Sequence, residues 1–192
     1  MLRKFVEVLA RGRIIRRSLF VRGNRVNLYV SPDAQLKYLR LGSNAFDADL
    51  VQIAESFVSH DSCIWDVGAN VGVFAFSAAA CAPSGTIVAI EADIWLAQIL
   101  RQSCHLESQR GRDIRVVPVA VSNHDGVATF RIAARGRASN ALASSSGSTQ
   151  MGGIREEQHV PTLTLDTLAQ NLPLPSFVKI DVEGAEYLVL QG

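Results

Sequence analysis

Three short stretches of the chain carry the residue types that could do chemistry. The first, residues 66–72, reads Asp-Val-Gly-Ala-Asn-Val-Gly and separates an apolar strand-like run from an apolar helix-like run. The second ends at Glu91, and the third contains Asp181 and Glu183. A glycine turn before a helix lets backbone N–H groups approach a ligand closely, which is typical of nucleotide sites. The arrangement predicts a nucleotide-binding turn with acids nearby.

The composition of the turn discriminates between nucleotides. A dinucleotide site needs Gly-x-Gly-x-x-Gly, which residues 66–72 lack, and Asp66 just before the first glycine would repel a pyrophosphate. Glu91 ends the next predicted strand, where an acid accepts hydrogen bonds from the hydroxyls of a ribose. A ligand with a ribose, a positive charge and no phosphate matches S-adenosylmethionine, which we predict as the cofactor. The alternative is that Asp66 and Glu91 only cap helices.

The elements that must position these residues alternate between strand and helix from residue 63 onward. Strands are predicted at 63–69, 85–92, 114–121 and 177–183, with helices after the first two at 71–82 and 93–108. Such alternation predicts a parallel sheet covered on both faces. Pro118 cannot donate a ladder hydrogen bond and puts its strand at a sheet edge. The chemical stretches all fall at carboxyl ends of strands, where ligands of these sheets bind.

Other segments surround this alternating region. A helix is predicted at 44–58, strands at 24–30 and 126–132, and a strand entering a short helix at 160–172. Residues 133–153 are rich in Ala, Ser and Gly, too polar and too small to form core. We expect this loop to be either a lid over the ligand, closing through residues 137–145, or an insertion without a fixed structure.

The N-terminus is basic. Residues 1–25 contain eight Arg and Lys against one acid, although the whole chain carries a net charge of only +1. Apolar residues at helical spacing in residues 1–20 predict an amphipathic helix, interrupted at Gly12, that docks on the body, on a partner or on a membrane surface. Interleaved aromatics and a nucleic-acid motif are lacking, so we expect no nucleic-acid partner. No run of 18 apolar residues and no secretory signal occur, which predicts a cytoplasmic protein, with contact to the inner face of the membrane through the arm.

Metal and redox sites find no support in the sequence. The three cysteines, Cys63, Cys81 and Cys104, form no Cys-x-x-Cys pair and are predicted to be reduced thiols. Asp181 and Glu183 lack a histidine or a further acid at ligand spacing, so no metal is predicted.

Four motifs resemble one family. The stretches DVGANVGVFAF, IVAIEAD, TLTLDTLA and VKIDVEGAEYLVLQG resemble the FkbM-type methyltransferases, which are class I S-adenosylmethionine-dependent enzymes. The resemblance runs from about residue 45 to residue 192. It implies a Rossmann-like three-layer αβα sandwich with a mostly parallel sheet of core order 3-2-1-4. It also implies methyl transfer to a hydroxyl of a sugar, glycolipid or polyketide-like acceptor. The implied methyltransferase domain is 44–192, after an N-terminal arm and short strand at 1–43.

The resemblance also assigns site residues. Cofactor contacts fall on the turn and on the ends of the second and third strands: Asp66, Gly68, Ala69, Asn70, Gly72, Glu91, Ala92, Asp93, Val119 and Ala120. Lys179, Asp181 and Glu183 fall at the methyl-donor end of the sheet as candidate catalytic residues. We expect Asp181 to touch the acceptor hydroxyl or the surroundings of the sulfonium. Glu183 is expected to make a second polar contact or, as the less favoured alternative, to form with Asp181 a carboxylate pair for a divalent cation. The alternatives are that Glu183 only favours a helix dipole and that Lys179 only neutralises a buried neighbour.

The family pattern extends beyond the motif that ends this chain. We therefore expect either a chain truncated after the fourth core strand or a second copy, as a homodimer, covering that strand's open apolar edge. Two other functions stay open: a non-catalytic remnant that binds the cofactor, and a nicotinamide-dependent oxidoreductase, which the missing glycine and Asp66 disfavour.

Overall fold

A computed structural model describes residues 2–40, 42–134, 136–143 and 153–192, and all that follows concerns these residues. The helices are α1 (Leu2–Ala10), α2 (Ala48–Phe57), α3 (Val73–Cys81), α4 (Ile94–Cys104), α5 (Leu165–Asn171) and α6 (Glu186–Leu190). The strands are β1 (Ile15–Val21), β2 (Asn24–Val30), β3 (Cys63–Val67), β4 (Thr86–Ile90), β5 (Asp113–Val117), β6 (Ala120–Val121), β7 (Gly126–Ala133), β8 (Ala141–Leu142), β9 (Ile154–Leu163) and β10 (Phe177–Ile180). Within these ranges, no helix combines the length and the apolar character that crossing a membrane requires.

The central sheet has four parallel strands in the order β10-β3-β4-β5. This is the predicted core order 3-2-1-4, read from the β5 edge. Its middle strands β3 and β4 are almost wholly buried, as expected for strands with helices on both faces. The predicted strand at 114–121 is in fact two strands. Pro118 lies between them because it ends the pairing of β5, which is an edge strand as predicted.

A second sheet, in the order β6-β9-β7-β8, continues from the carboxyl end of β5. It is mixed, since β9 pairs parallel with β6 and antiparallel with β7. The expectation that residues 133–153 contribute nothing to the core is wrong at the start of that range. Ala133, Ala141 and Leu142 are buried, because β8 pairs with β7: Leu142 joins an apolar cluster with Phe130, and Ala141 packs with Ala133. The rest of the predicted loop, residues 144–152, lies outside the described residues.

The N-terminal segment is only partly the predicted amphipathic helix. Helix α1 ends at Ala10, and residues 15–30 form the antiparallel hairpin β1–β2 with a left-handed turn at Arg22 and Gly23. Alternation decides this, because alternate apolar residues of both strands are buried, whereas Arg16 and Arg25 are exposed and Arg17 is only partly buried. The buried face joins the same core cluster as Phe74 and Leu96 of α3 and α4. The division of the chain at residue 43 stays a prediction, although hydrophobic packing extends across it.

Gly72 provides a test of the packing behind the glycine turn. It caps α3 in the left-handed region with φ of 87°, and a Cβ there would lie 2.6 Å from the buried side chains of Leu100 and Phe76. Gly111 has a similar φ of 78° but open space around it. We expect both Gly→Ala variants to lose about 1–2 kcal/mol from the left-handed backbone. Gly72→Ala should lose about 1–3 kcal/mol more through overpacking. Urea unfolding measures both, and equal losses would contradict the packing described.

Candidate active site

The glycine turn follows β3 and adopts an unusual backbone. Gly68, Asn70 and Gly72 all have positive φ, and Asn70 tolerates it as a non-glycine residue, as its amide oxygen accepts the N–H of Val71 at 2.8 Å. A Cβ on Gly68 would lie 2.0 Å from the backbone oxygen of Asp181. Only glycine therefore fits where the turn crosses the end of β10. This close approach brings the predicted cofactor turn and the predicted catalytic strand together.

Glu91 connects the turn to the next strand end. Its side chain is buried, and its two carboxylate oxygens accept backbone N–H groups from Asn70 at 2.7 Å and from Asp93 at 2.8 Å. Burial raises the pKa of Glu91 to about 7, and these two hydrogen bonds act in the opposite direction. A carboxylate has about four lone-pair positions. Glu91 therefore keeps acceptor capacity for hydroxyl groups that enter the adjoining cavity.

An open cavity of about 570 Å³ lies against Glu91 at the carboxyl ends of the central strands. We call it the first cavity. Its wall includes residues predicted to bind the cofactor and residues predicted to be catalytic. They are Gly68, Asn70, Glu91, Ala92, Val119, Ala120, Asp181 and Glu183. Its apolar part comes from side chains such as Leu96, Phe130 and Leu142. A mixed cavity with an acid at one side and apolar walls elsewhere suits an adenosine group.

A second cavity of about 500 Å³ lies on the other side of the turn. It shares Gly68, Asn70, Asp181 and Glu183 with the first cavity. Predicted residues Ala69 and Lys179 line this second space instead, together with Gln35, Tyr38, Asp47 and Leu50 from the N-terminal region. Among the described residues, Asp66, Gly72 and Asp93 line neither cavity. Asp181 and Glu183 therefore stand at the boundary between the two spaces.

Asp66 lies behind the turn and is fully buried. The Nζ atom of Lys179 lies 3.0 Å from one Asp66 carboxylate oxygen, 3.5 Å from Asp181, and donates to the backbone oxygen of Gly68 at 3.0 Å. Burial raises the pKa of Asp66, and the Lys179 ammonium opposes this. Lys179 thus neutralises the buried carboxylate of Asp66, which was the alternative to a catalytic role for Lys179. Direct contact of Asp66 with the cofactor stays a prediction, since its described contact is this ion pair.

Asp93 is also fully buried, and it organises structure around the first cavity. One oxygen accepts the N–H of Trp95 at 2.9 Å, which caps α4. The other accepts from the side chains of Arg137 at 2.5 Å and Asn140 at 2.8 Å. Arg137 and Asn140 line the first cavity. Both lie in the segment 137–145 that the sequence predicted to close over the ligand, and the contacts of Arg137 are what the sequence did not reveal.

Glu183 has a strained backbone. Its φ is 48°, which is rare for a residue other than glycine, and Gly184 follows with φ of 88°. The Glu183 side chain is exposed, but partial desolvation of its carboxylate raises its pKa, and the charges of Asp181 and Glu186 add to the effect. The carboxylate of Glu186 accepts N–H groups of Val182 and Gly184 at 3.3 Å, so Glu186 shapes this turn. The strain and the raised basicity both mark Glu183 as a candidate reacting group.

Residues 66–192 match the model of the Methyltransferase FkbM domain. The chain belongs to this family. Members of this family are S-adenosylmethionine-dependent methyltransferases, so the cofactor is S-adenosylmethionine, and the central sheet described above is the corresponding fold. The predicted family, fold class and cofactor are therefore confirmed. The site residues stay predictions.

Solved methyltransferase structures are similar to parts of this FkbM domain. Precorrin-6y C5,15-methyltransferase from Geobacter metallireducens is 21% identical over 38% of this chain and 36% of its own, with a TM-score of 0.32. TYW2 of P. horikoshii, in complex with MeSAdo, is 15% identical over 56% and 39%, with a TM-score of 0.39. The tRNA m1G37 methyltransferase of M. jannaschii is 20% identical over 56% and 31%, with a TM-score of 0.34. The chain thus spans less than two fifths of the length of each. No curated protein matches it.

The residues of the first cavity fit S-adenosylmethionine. Glu91 would accept hydrogen bonds from the ribose hydroxyls, and the apolar wall near Val119 and Phe130 would hold the adenine. The carboxylates of Asp181 and Glu183 would lie towards the cationic sulfonium, which they stabilise electrostatically. Within the described ranges, no three His, Cys, Asp or Glu side chains are placed to hold a metal ion.

We expect Glu91 to make cofactor binding dependent on pH. The ionised carboxylate is the stronger acceptor for ribose hydroxyls, and its pKa is about 7 in the free protein. Affinity for S-adenosylhomocysteine should therefore rise by up to about tenfold between pH 6 and pH 8. Calorimetric titration at several pH values measures this change. Glu91→Ala should bind weakly with little dependence on pH, and a wild-type affinity that falls as pH rises would contradict the assignment.

The raised pKa of Glu91 has the opposite effect on the stability of the ligand-free protein, which falls as pH rises. The folded state holds a proton on Glu91 more tightly than the unfolded chain does, since burial raises the pKa from 4.5 to about 7. The stabilising contribution is therefore complete below pH 4.5 and is lost as pH rises through 7. Above pH 7 the ligand-free protein carries the cost of a buried charge, which the ribose hydroxyls relieve on binding.

Proposed function

We propose that this FkbM domain transfers a methyl group from S-adenosylmethionine to a hydroxyl oxygen of a sugar, glycolipid or polyketide-like acceptor. The observation that supports the proposal is the boundary between the two cavities. Asp181 and Glu183 line both spaces, so a donor in the first and an acceptor in the second would meet at these carboxylates. The second cavity has polar walls, including Gln35 and Tyr38, that can hydrogen-bond to a hydroxylated molecule.

The reaction needs alignment and removal of one proton. S-adenosylmethionine, when bound, supplies an electrophilic methyl group whose bonding electrons leave with sulfur. The acceptor oxygen forms the new bond to carbon, and its proton passes to a carboxylate of the protein. Glu183 suits this step better than Asp181, because partial desolvation and neighbouring acids raise the pKa of Glu183. Asp181 lies 3.5 Å from the Lys179 ammonium, so this ion pair takes up part of its capacity to accept a proton or a hydrogen bond from the acceptor.

Asp181 and Lys179 take supporting roles in this proposal. The Asp181 side chain is 63% exposed, so it is free to hydrogen-bond to the acceptor hydroxyl or to lie beside the sulfonium. Lys179 is held by Asp66 and by the backbone oxygen of Gly68, which fixes its position behind the turn. It therefore sets the position of Asp181 and contributes no proton transfer. Positioning of this kind supplies a large part of the rate of a bimolecular transfer.

A second candidate function is binding of the cofactor without methyl transfer. It is favoured by β10, which is an edge strand in the described sheet, with Val178 37% exposed. An exposed apolar edge of this kind suits a further strand or a second copy of the chain. The homodimer, contact with a membrane through the basic arm and the cytoplasmic location stay predictions.

Substitution of the boundary carboxylates tests the proposed chemistry. Glu183→Gln should lower the rate of methyl transfer by about 10²–10⁴-fold, because the amide cannot take the proton. Asp181→Asn should cost less, and both variants should bind S-adenosylhomocysteine within a few-fold of wild type. The assay uses S-adenosylmethionine labelled in its methyl group with a panel of neutral sugars, glycolipids and hydroxylated polyketides.

Glu107→Gln is the control, since its side chain is 81% exposed and lies outside both cavities. It should transfer methyl groups at the wild-type rate. A Glu183→Gln variant with full activity would remove Glu183 as the base. Wild-type protein that binds S-adenosylhomocysteine but methylates nothing in the panel would favour the second candidate function.

A further inference from the structure

Asp33 is a buried acid that lies outside the matched segment 66–192 and that neither the cofactor site nor the proposed chemistry uses. It follows β2 in the tight turn 31–34, which we call the N-terminal turn, and it is 7% exposed. Its carboxylate receives two arginines that are distant in sequence. Arg155 approaches at 2.9 and 3.3 Å, and Nε of Arg137 donates at 3.4 Å. The N–H of Gly12 adds a fourth hydrogen bond at 3.3 Å.

Arg137 links this acid to the first cavity. Its guanidinium bonds to Asp33 through Nε and to Asp93 through Nη1, and it lies 4.7 Å from the centre of the Trp95 ring. These three contacts hold the side chain with only 11% of it exposed. Arg137, Ala138 and Asn140 form part of the wall of the first cavity. We call residues 136–140 the roof.

Backbone hydrogen bonds tie the roof to the same turn. The N–H of Arg137 donates to the backbone oxygen of Asp33 at 2.9 Å, and the N–H of Ala138 to that of Ala34 at 3.3 Å. A Cβ on Gly136 would lie 3.0 Å from the oxygen of Ala34, so the two segments are in close contact. The N-terminal turn is itself held in shape, because Ser31 accepts the N–H of Asp33 and donates to the oxygen of Arg13. The roof therefore rests on a preformed support.

A purely structural ion pair would explain part of this arrangement. Buried charges that lose a partner destabilise a protein wherever they lie, so a loss of stability alone would prove nothing about the cofactor. Arg155 separates the two explanations. It bonds to the same carboxylate as Arg137 and is similarly buried, but it is not among the residues that line either cavity.

We propose that Asp33 is a positioning residue for S-adenosylmethionine. It sets the guanidinium of Arg137 between two acids and against Trp95, and thereby holds the roof over the adenosine part of the first cavity. A segment outside the matched methyltransferase region thus completes the cofactor site. The proposal rests on binding of S-adenosylmethionine and does not depend on the proposed acceptor or on the transfer step.

The test compares Asp33→Asn with Arg155→Met in the full chain. Binding of S-adenosylhomocysteine is measured by calorimetry and thermal stability by differential scanning. Asp33→Asn should weaken binding by tenfold or more, because Arg137 then loses one of the two acids that hold it and the roof loosens. Arg155→Met should lower the melting temperature but keep the affinity within about threefold of wild type. Amide hydrogen exchange of Arg137 and Ala138 should accelerate in Asp33→Asn only.

A double-mutant cycle makes the coupling explicit. In an Arg137→Ala background, Asp33→Asn should change the affinity little, because the group that it positions is gone. An undiminished effect there, or wild-type affinity in Asp33→Asn, would overturn the proposal. If Asp33→Asn does not fold, Arg137→Gln replaces it, and wild-type affinity in that variant has the same meaning. Wild-type protein that does not bind S-adenosylhomocysteine overturns the cofactor assignment and this proposal with it.

Discussion

The buried ion pair between Asp66 and Lys179 is the contact on which the site depends. The two residues lie directly opposite each other on the neighbouring parallel strands β3 and β10. Two charges in the interior cost desolvation energy, and removing one partner leaves the other uncompensated. Lys179 also donates to the backbone oxygen of Gly68, so the pair joins the glycine turn to the strand that carries Asp181. The two cavities share a wall because these two strand ends are held together.

Acids at neighbouring strand ends have different functions in this fold, although they have similar positions in the sequence pattern. Asp66 is paired with Lys179, Asp93 holds the roof and caps α4, and Glu91 orders the turn while facing the first cavity. Of the three, only Glu91 lines a cavity. Burial and hydrogen-bond partners, and not residue type, decide which acid is available to a ligand. The acids without access act by shaping the walls.

The parts of the fold that local pattern encodes could be predicted. Strand–helix alternation after residue 63, the turn at 66–72 and the position of Pro118 led to the parallel central sheet and its edge strand. The order of its strands came from the resemblance to the family. The hairpin strand β1 was missed, because its arginines resemble the polar face of a helix that resumes after the interruption at Gly12. The contacts of Asp33 with Arg137 could not be predicted, since they join residues 104 positions apart with no local periodicity to mark them.

The central claim is that the cavity beside Glu91 holds S-adenosylmethionine, and the most direct measurement is a calorimetric titration at pH 8. Wild-type protein and Glu91→Ala would each be titrated with S-adenosylhomocysteine and with NADH. We predict that wild type binds S-adenosylhomocysteine with one site and does not bind NADH, and that Glu91→Ala loses most of the affinity while remaining folded. Binding of NADH instead, or S-adenosylhomocysteine affinity that is unchanged in Glu91→Ala, would contradict the account.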